Sequence, residues 1–368
     1  MKKVLYVTTV SRTVNAFLVP HIHMLLDEGY QVDIATSIDK PIEESLKHRG
    51  VGVFNIPFAR NPLHPGNLKA FKELCRIQKK GGYDIIHVHT PVASLFGRLL
   101  KLRDSRVKTI YTAHGYHFLK GGSNVGWMLY YPIEWMMAKL TDVTITINQE
   151  DYEITTKRLK PKQAYLMDGV GLDLSHYKVL SPEAICAKRK ELGLHPDDFI
   201  IIMIAELNEN KNQIQLLKAM ERLKDKYPNI KALFVGEGLK LQELQQQATE
   251  RGIQKHVQFL GFRTDITELI NVSNIGVLLS YREGLPRNLM ELMACGRQMI
   301  GTNIRGCRDV ICDDTVGCLV EVGDDETLAH EIERLYLKND SSFSLSPHLK
   351  KYEMASVLKE LKMIYEGV

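Results

Sequence analysis

The chain has 368 residues, of which 44% are hydrophobic and 25% charged, a soluble globular composition too long for one ordinary core. No apolar run approaches the ~20 residues that a membrane-spanning helix needs, so an integral membrane protein is excluded. The six cysteines are irregularly spaced and form no C-x-x-C pair, which argues against a disulfide framework and against a zinc site.

The net charge of +4 conceals an asymmetry between the two halves of the chain. Residues 1–172 contain 23 Lys and Arg against 15 Asp and Glu, a net charge of +8, whereas the remainder has 25 against 29, a net charge of −4. A basic first half and an acidic second half indicate different partners for the two halves.

The first half alternates β-branched apolar runs with helical patterns. The chain begins with a short basic segment and an apolar run that ends at Ser11, and no small-residue cleavage site follows. We therefore expect a first strand rather than a secretory signal. The predicted strands are 4–10, 30–36, 51–57, 83–90, 107–114 and 142–148. The predicted helices are 17–30, 42–50, 67–82, 92–102, 127–140 and 151–159.

The second half repeats this alternation, which is typical of a buried parallel sheet with helical crossovers. The predicted strands are 198–207, 230–238, 256–262, 275–280, 298–303 and 317–323. The predicted helices are 212–228, 240–252, 265–273, 287–296 and a short one near 306–311. We therefore expect an α/β protein with two tandem, doubly wound, Rossmann-like domains, 1–172 and 173–349, with a last helix from about 350 packing back on the first.

Ligands of such sheets bind beyond the carboxyl ends of the strands, and two domains face to face form an interdomain cleft. The segment Ser280–Ile300, SYREGLPRNLMELMACGRQMI, lies at such an end. Glu283 and Glu291 are eight residues apart in the sequence, which corresponds to roughly 12 Å along a helix. This distance is too long for the two carboxylates to share a proton or a metal. Between them lies a helix start, a ready anion site. Two carboxylates flanking a phosphate-binding helix start suit a nucleotide sugar; the alternative is a pair of solvated carboxylates.

Several cofactor signatures are missing from the chain. There is no G-x-G-x-x-G after the first strand and no G-x-x-x-x-G-K-[ST], so NAD binding and P-loop hydrolysis lose their main support. Without a D-x-D motif, we expect no metal and no cofactor. A leaving diphosphate would then be stabilised by Lys, Arg and backbone amides.

Ordered motifs lie along nearly the whole chain. The N-terminal half carries DIIHVHTP, TAHG and MDGVGLD, and the C-terminal half carries VGEG, FLGFRTDITELI, EGLP with E-x-MACG, RGCRDVI and GCLVEVGD. These motifs resemble the family 4 retaining glycosyltransferases of the GT-B fold, of the bacterial capsule and exopolysaccharide type, with Tyr177 where that family usually has Phe. The resemblance implies a hexosyltransferase-type enzyme.

The resemblance also implies roles for residues that match these motifs. Glu283 would contact the donor sugar, Glu291 the ribose hydroxyls and Lys211 the diphosphate. His114 would be a donor-sugar or catalytic contact, although a purely structural histidine is the alternative. The remaining donor-binding positions are the helix-start residues Gly284, Leu285, Arg287 and Asn288, the base-binding Phe262 and Arg263, and Gly236.

One departure from the family pattern concerns charge. The family usually has Gly-Arg where this chain has Ala205-Glu206, and that Arg normally joins the Lys on the diphosphate. We hypothesise that Arg287, or less readily Arg282, supplies the missing positive charge. The departure also keeps open a catalytically silent nucleotide-sugar-binding subunit.

Other positively charged and imidazole side chains form local patterns. His87 and His89 share a strand face and could ligate a metal, but no third ligand is evident. The helix 127–140 is aromatic and Met-rich, which is more typical of core than of a membrane contact. Two basic groups predict either a solvated surface or attraction to anionic lipid heads: Lys69, Lys72, Arg76 and Lys79 as a helical stripe, and Arg98, Lys101, Arg103, Arg106 and Lys108 as a cluster.

Together these features and the resemblance predict a transferase that moves a sugar from a nucleotide sugar, most readily a UDP-sugar, to a lipid-linked glycan in surface polysaccharide synthesis. The resemblance implies that the anomeric configuration is retained. We expect a cytoplasmic protein, peripheral at the inner membrane face through its basic N-terminal domain. No aromatic-interleaved basic motif supports nucleic-acid binding. The alternatives are the silent subunit and a GT-B sugar-nucleotide epimerase.

Overall fold

The computed structural model describes residues 1–59, 61–62, 64–122, 124–338 and 346–368. These residues form two compact units, Met1–Gly171 together with Met354–Val368, and Leu172–Glu353. The division predicted at 172–173 and the returning helix predicted from about 350 differ from these bounds by a few residues. Residues 339–345, at the end of the predicted second domain, lie outside the described residues.

The first unit is built on a seven-stranded parallel sheet in the order β3-β2-β1-β4-β5-β6-β7. Its strands are β1 Lys3–Val10, β2 Gln31–Ser37, β3 Gly52–Asn55, β4 Ile85–His89, β5 Lys108–Ala113, β6 Val143–Thr146 and β7 Gln163–Leu166. Its helices are α1 Ser11–Thr13, α2 Val19–Asp27, α3 Glu44–His48, α4 Gly66–Gly81, α5 Pro91–Leu99, α6 Asn124–Ala138, α7 Gln149–Ile154 and α15 Met354–Glu366.

The second unit has a six-stranded parallel sheet in the order β10-β9-β8-β11-β12-β13. Its strands are β8 Phe199–Ile204, β9 Ile230–Val235, β10 Val257–Phe259, β11 Ile275–Leu278, β12 Gln298–Thr302 and β13 Gly317–Val320. Its helices are α8 Pro182–Glu191, α9 Gln213–Leu223, α10 Leu241–Glu250, α11 Ile266–Val272, α12 Arg287–Ala294, α13 Cys307–Val310 and α14 Asp325–Lys338.

The continuous apolar runs of the strands follow from burial on both faces of each sheet. In β8, Ile200 and Ile202 contribute to one hydrophobic cluster, whereas Ile201 and Met203 contribute to the other. The α/β architecture with two parallel sheets is thus confirmed.

The last helix, α15, contributes to the core of the first unit. Val357, Leu361, Ile364 and Tyr365 are buried, and their spacing places them on one helical face. They join the cluster that contains Tyr6 of β1 and residues of α2.

Two elements, β7 and α8, lie in a stretch for which the sequence patterns predicted no structure. β7 is a four-residue edge strand without a fully buried residue, and no residue of α8 is buried. The sequences of β7 and α8 therefore show no periodic pattern of apolar residues. The available signal for α8 was local: the Ser181 side chain accepts a hydrogen bond from the N–H of Ala184, and Pro182 follows at the first helical position.

Each sheet has a topological switch point where the strand order reverses, and ligands of doubly wound sheets bind at its carboxyl side. In the first unit it lies between β1 and β4, and in the second between β8 and β11. His89 ends β4. The segments after β8 and β11 carry Lys211 and Glu283. The described residues contain no helix that is both long and apolar enough to cross a membrane.

Candidate active site

Lys211 and Glu283 meet beyond the carboxyl ends of β8 and β11. The side-chain oxygen of Asn208 accepts a hydrogen bond from the N–H of Lys211 (3.1 Å), which closes a short 3-10 turn. Asn210 ties this turn to the next loop, because its carbonyl accepts from the N–H of Tyr281 (2.8 Å) and its amide donates to the carbonyl of Arg282 (3.0 Å).

These hydrogen bonds hold Lys211 and Glu283 in a direct ion pair. Nζ of Lys211 donates to Oε1 of Glu283 at 2.5 Å, and the two side chains are only 22% and 12% exposed. An ammonium group has three donor hydrogens and a carboxylate has two oxygens, so both groups keep hydrogen-bonding capacity for a ligand.

Glu291 lies on α12 and is also held by neighbouring side chains. Its Oε1 accepts hydrogen bonds from the hydroxyl of Tyr177 (2.7 Å) and from Nε of Arg287 (3.0 Å), and its side chain is 13% exposed. Burial and the Glu291 carboxylate raise the pKa of Tyr177 to about 12, so Tyr177 remains a hydrogen-bond donor. Among the described residues nothing donates to the second carboxylate oxygen, Oε2.

The start of α12 presents backbone N–H groups. The N-cap is Pro286, which provides no side-chain cap, and among the described residues the N–H groups of Gly284, Leu285 and Asn288 have no hydrogen-bond acceptor. The Asn288 side chain donates to the carbonyl of Ile204 (2.8 Å), which fixes the helix start against the end of β8. This arrangement can bind an anion.

The loop between β12 and α13, which carries Arg305 and Gly306, packs against the turn that carries Glu283. Arg305 is almost fully buried, and its Nε donates to the carbonyl of Glu283 (3.0 Å). Gly306 has a φ of +77°, and a Cβ at this position would collide with the carbonyl of Gly284. Sequence reasoning matched the RGCRDVI motif but assigned no role to Arg305, because burial of a charge has no local signature.

Gly236 has a structural reason to be glycine. It adopts a φ of +141°, and a Cβ would collide with the carbonyl of Ala205. The loops after β8 and β9 therefore touch, as the hydrogen bond from the N–H of Leu207 to the carbonyl of Glu237 (2.9 Å) also shows.

Glu206, the residue in place of the family Arg, is exposed, and its carboxylate forms no ion pair with any other described residue. Its backbone carbonyl accepts a hydrogen bond from Nε2 of Gln213 (2.9 Å). Arg287, the hypothesised replacement, is 40% exposed and shares its charge with Glu291 at 3.0 Å. The replacement hypothesis stays a prediction.

Phe262 and Arg263 differ in what they offer a ligand. Phe262 is 71% exposed and offers a ring face for stacking. Arg263 is engaged by Asp265, through Nε to Oδ1 (2.8 Å) and Nη2 to Oδ2 (2.5 Å). Arg263 and Lys188 together hold the pKa of Asp265 well below its usual range.

In the first unit, His114 follows β5 and is half-buried. The next residue, Gly115, has a φ of +123°, and the N–H of Tyr116 donates to the buried Asp151 carboxylate (3.0 Å). Nε2 of His114 lies 3.1 Å from Nδ1 of His89. Burial, with a smaller contribution from His21, lowers the pKa of His114 to about 4, so the ring is neutral at neutral pH.

His87 does not provide a metal ligand in this arrangement. Its Nδ1 hydrogen-bonds with the Tyr365 hydroxyl (2.7 Å) and its Nε2 with the Thr112 hydroxyl (2.8 Å), so both ring nitrogens are occupied. The His87 and His89 rings stack with centroids 4.3 Å apart.

The second basic cluster lies only in part on the surface, since Arg103, Arg106 and Lys108 are exposed whereas Arg98 is buried. Arg98 is 1% exposed, and its Nη1 and Nη2 donate to Glu134 at 2.8 and 3.0 Å. Lys101 pairs with Asp142, and Arg106 pairs with Asp104. The helical stripe on α4 behaves differently, since Lys69, Lys72, Arg76 and Lys79 are all exposed.

Helix α6 was also misjudged, because the aromatic, Met-rich pattern favoured core. Only Gly126, Met137 and Ala138 of this helix are buried. Its exposed apolar side chains are Val125, Met128, Leu129, Trp135 and Met136. An apolar composition without a strong helical period does not reveal which side faces solvent.

Comparison with known proteins decides the family. Residues 185–352 match the family described as Glycosyl transferases group 1, and residues 3–148 match Glycosyl transferase 4-like. A Bacillus subtilis (strain 168) protein named putative glycosyltransferase EpsD is 36% identical over 374 residues, covering 100% of this chain and 97% of that protein. The chain belongs to the group 1 glycosyltransferases of the GT-B fold.

This glycosyltransferase also resembles more distant proteins. The Escherichia coli UDP-Gal:alpha-D-GlcNAc-diphosphoundecaprenol alpha-1,3-galactosyltransferase is 25% identical over 319 residues, covering 85% of this chain and 81% of that protein. The crystal structure of Anabaena HepE in complex with UDP and glucose superimposes with a TM-score of 0.82 at 20% identity, with both chains fully covered. The structural likeness confirms the GT-B fold of the glycosyltransferase.

Proposed function

We propose that this glycosyltransferase transfers a sugar from a UDP-sugar, with retention of anomeric configuration, to a lipid-linked saccharide in surface polysaccharide assembly. The observation that carries the proposal is the layout of one sheet edge. Two braced carboxylates, Glu283 and Glu291, flank a helix start with unpartnered N–H groups, and Lys211 stands beside the first of them.

Each part of this edge suits one part of the donor. Glu283 accepts hydrogen bonds from sugar hydroxyls, and Oε2 of Glu291 accepts from the ribose. Lys211 and the N–H groups of Gly284, Leu285 and Asn288 bind the diphosphate. The exposed ring of Phe262 stacks on the base, and Arg263 borders it.

The same groups suit the chemical step. The bond between the anomeric carbon and the diphosphate oxygen breaks, and the acceptor oxygen bonds to the same face of the sugar. The departing diphosphate oxygen takes the acceptor proton, so no protein nucleophile is required. Lys211 and the α12 amides stabilise the charge that develops on the leaving group. With no D-x-D motif in the sequence, we propose that the reaction needs no metal; chelation with EDTA is expected to leave the rate unchanged.

Two exposed features of the first unit support an acceptor at a membrane surface. The basic stripe of α4 attracts anionic headgroups, with about 1 kcal/mol per basic residue. The exposed side chains of α6, including Met128 and Trp135, offer apolar contact. Co-sedimentation with vesicles containing anionic lipid tests this, and Lys72→Glu with Lys79→Glu should reduce binding.

A second candidate is a nucleotide-sugar-binding subunit without activity. The observation that favours it is Glu206, an exposed carboxylate where the family places an Arg. It would bind a UDP-sugar without turnover.

A donor and acceptor panel separates the two candidates. The protein is mixed with UDP-, GDP- and ADP-sugars, with and without a lipid-diphosphate saccharide, and nucleotide release is followed. Release of UDP that requires the acceptor supports the transferase, and the anomeric coupling of the product reports retention. Tight binding without release supports the silent subunit. Arg287→Ala should weaken donor binding; unchanged affinity and rate would contradict its compensating role.

A further inference from the structure

The first unit contains a buried group of imidazoles at its switch point, beside the proposed ligand contact His114. His87 and His89 lie on the same face of β4, and His21 lies on α2; all three are almost fully buried. Only His89 contacts His114 by a hydrogen bond, Nδ1 to Nε2 at 3.1 Å. The other ring nitrogen of His89, Nε2, is buried and has no hydrogen-bond partner among the described residues.

The surroundings of His89 hold its ring in place. It stacks on His87 at 4.3 Å and on Tyr6 at 5.4 Å between centroids. The following residue, Thr90, has a φ of +66°, which is rare for a β-branched residue and is therefore strained. The N–H of Thr9 donates to the Thr90 hydroxyl (3.0 Å) and stabilises this turn.

Both rings of the His89–His114 pair are neutral. Burial and the neighbouring His87, His114 and His21 lower the pKa of His89 well below its usual value, and the pKa of His114 is about 4. Two tyrosines also belong to this group, since Tyr6 stacks on His89 and the Tyr365 hydroxyl bonds to His87. A neutral imidazole carries one N–H, so one ring of the pair donates and the other accepts.

The two possible directions of this hydrogen bond are unequal. If His114 donated from Nε2, His89 would carry its proton on its own Nε2, leaving a buried N–H without an acceptor. If His89 donates from Nδ1, its Nε2 is only an unfilled acceptor. Orphaned buried N–H groups are the rarer of the two in folded proteins.

We propose that His89 is a positioning residue that holds His114 in the tautomer with its proton on Nδ1. The Nδ1 atom of His114 has no hydrogen-bond partner among the described residues. His114 therefore presents a neutral N–H donor, which donates to a sugar hydroxyl oxygen and cannot accept from one. This catalytic consequence rests on the proposed function, whereas the tautomer itself does not.

The direct test is nuclear magnetic resonance of the full-length protein labelled with nitrogen-15 in histidine, at neutral pH. His114→Gln identifies the His114 signals. In the unmodified protein the proton is expected on Nδ1 of His114. A proton on Nε2 of His114 would overturn the proposal, whatever the outcome of any transfer assay.

Substitutions at His89 then test the cause. In His89→Asn the amide nitrogen lies near the position of Nδ1 and can still donate, so the His114 tautomer and transfer should be largely retained. In His89→Leu the donor is lost, so the Nε2-protonated form of His114 should appear and transfer should fall by about ten- to hundred-fold. His114 fixed on Nδ1 in His89→Leu would refute the proposal.

His87→Asn is the matched control, since it removes a buried imidazole of the same strand face that does not bond to His114. It should lower thermal stability without moving the His114 proton. If the tautomers behave as expected but no donor and acceptor support transfer, the proposed function fails and the assignment of His89 stands.

Discussion

The side chains at the carboxyl ends of the two sheets differ in charge. In the first unit the ends of β4 and β5 carry the neutral imidazoles His89 and His114, and His89 stacks on His87 and Tyr6. An ion pair of this edge, Arg12 with Asp39, lies in the segments after β1 and β2. In the second unit the edge carries paired charges, Lys211 with Glu283 and Arg287 with Glu291. Both edges occupy the switch point of a doubly wound sheet, so the difference arises from side chains rather than from topology.

The difference indicates what each edge can bind. A diphosphate is negatively charged, so a site for it needs positively charged side chains that can leave a protein carboxylate and bind a phosphate oxygen instead. Lys211 and Arg287 meet this requirement, because both are partly exposed and each is paired with a carboxylate. Burial keeps the imidazoles neutral, and neutral groups select by hydrogen-bond direction. The edge of the second unit thus suits charged ligand groups, and the imidazoles of the first unit suit neutral, hydrogen-bonding ligand groups.

The largest effect is expected from removing the charge of Lys211. Lys211→Met should reduce kcat/KM by about 10²- to 10³-fold, because a group that stabilises developing charge on the leaving diphosphate is lost. The measurement is UDP release at saturating acceptor. Lys218→Met, on the exposed side of α9, is the control and should retain the rate. A rate for Lys211→Met within two- to three-fold of the unmodified enzyme would break the assignment of ionic chemistry to this edge.

Most strands were predictable because their burial on both faces produces continuous apolar runs, as in β8. β7 and α8 were missed because neither has a buried face to impose a period, whereas α14 was missed although Leu328, Ile332 and Leu335 are buried on it. The carboxylates of the site were predictable from the turn and helix that carry them. Their partners were not, since Lys211 and Glu283 are 72 residues apart and Tyr177 and Glu291 are 114 apart.

Charge in a sequence also gives no measure of burial. Arg98 and Arg103 belong to the same basic cluster of the sequence, but Arg103 is exposed whereas Arg98 is buried, where Glu134 on α6 accepts hydrogen bonds from both of its terminal nitrogens. The departure of Tyr177 from the family Phe was visible in the sequence. That its hydroxyl donates to Glu291 required the fold.

The second prediction concerns the pH dependence of the unfolding free energy, to which the buried imidazoles of the first unit should contribute. The pKa values of His21, His87, His89 and His114 are lowered in the folded state, His114 to about 4, so the unfolded chain binds more protons below about pH 6.5. The unfolding free energy should therefore fall as pH drops from about 6.5 towards 4, by up to about 1.4 kcal/mol per pH unit for each site. Denaturant unfolding across this range measures the slope.

The control for this pH effect is an exposed histidine. His114→Gln should flatten the slope, whereas His330→Gln, whose side chain is 72% exposed, should leave it unchanged. An identical slope in both variants would show that the imidazoles of the first edge are not held neutral by the fold.

A smaller effect is expected at the ribose end of the charged edge. Glu291→Gln keeps the side-chain volume but loses a charged acceptor, so UDP affinity should fall by about 10- to 100-fold, corresponding to roughly 1.5–3 kcal/mol for a hydrogen bond to a charged group. Isothermal titration with UDP measures this change. Glu326→Gln, an exposed carboxylate on α14, is the matched control. An unaltered affinity would remove Glu291 from the donor site.

The smallest predicted effect tests whether Tyr177 acts through Glu291. Tyr177→Phe restores the usual family residue and removes only the hydroxyl that donates to Oε1 at 2.7 Å. Because Nε of Arg287 still donates to the same oxygen, UDP affinity should fall by no more than about ten-fold, which is less than the roughly 1.5–3 kcal/mol of a hydrogen bond to a charged group. In the Glu291→Gln background the same change should have less effect, since the carboxylate that it orients is absent. Equal losses in both backgrounds would mean that Tyr177 supports the site by packing alone.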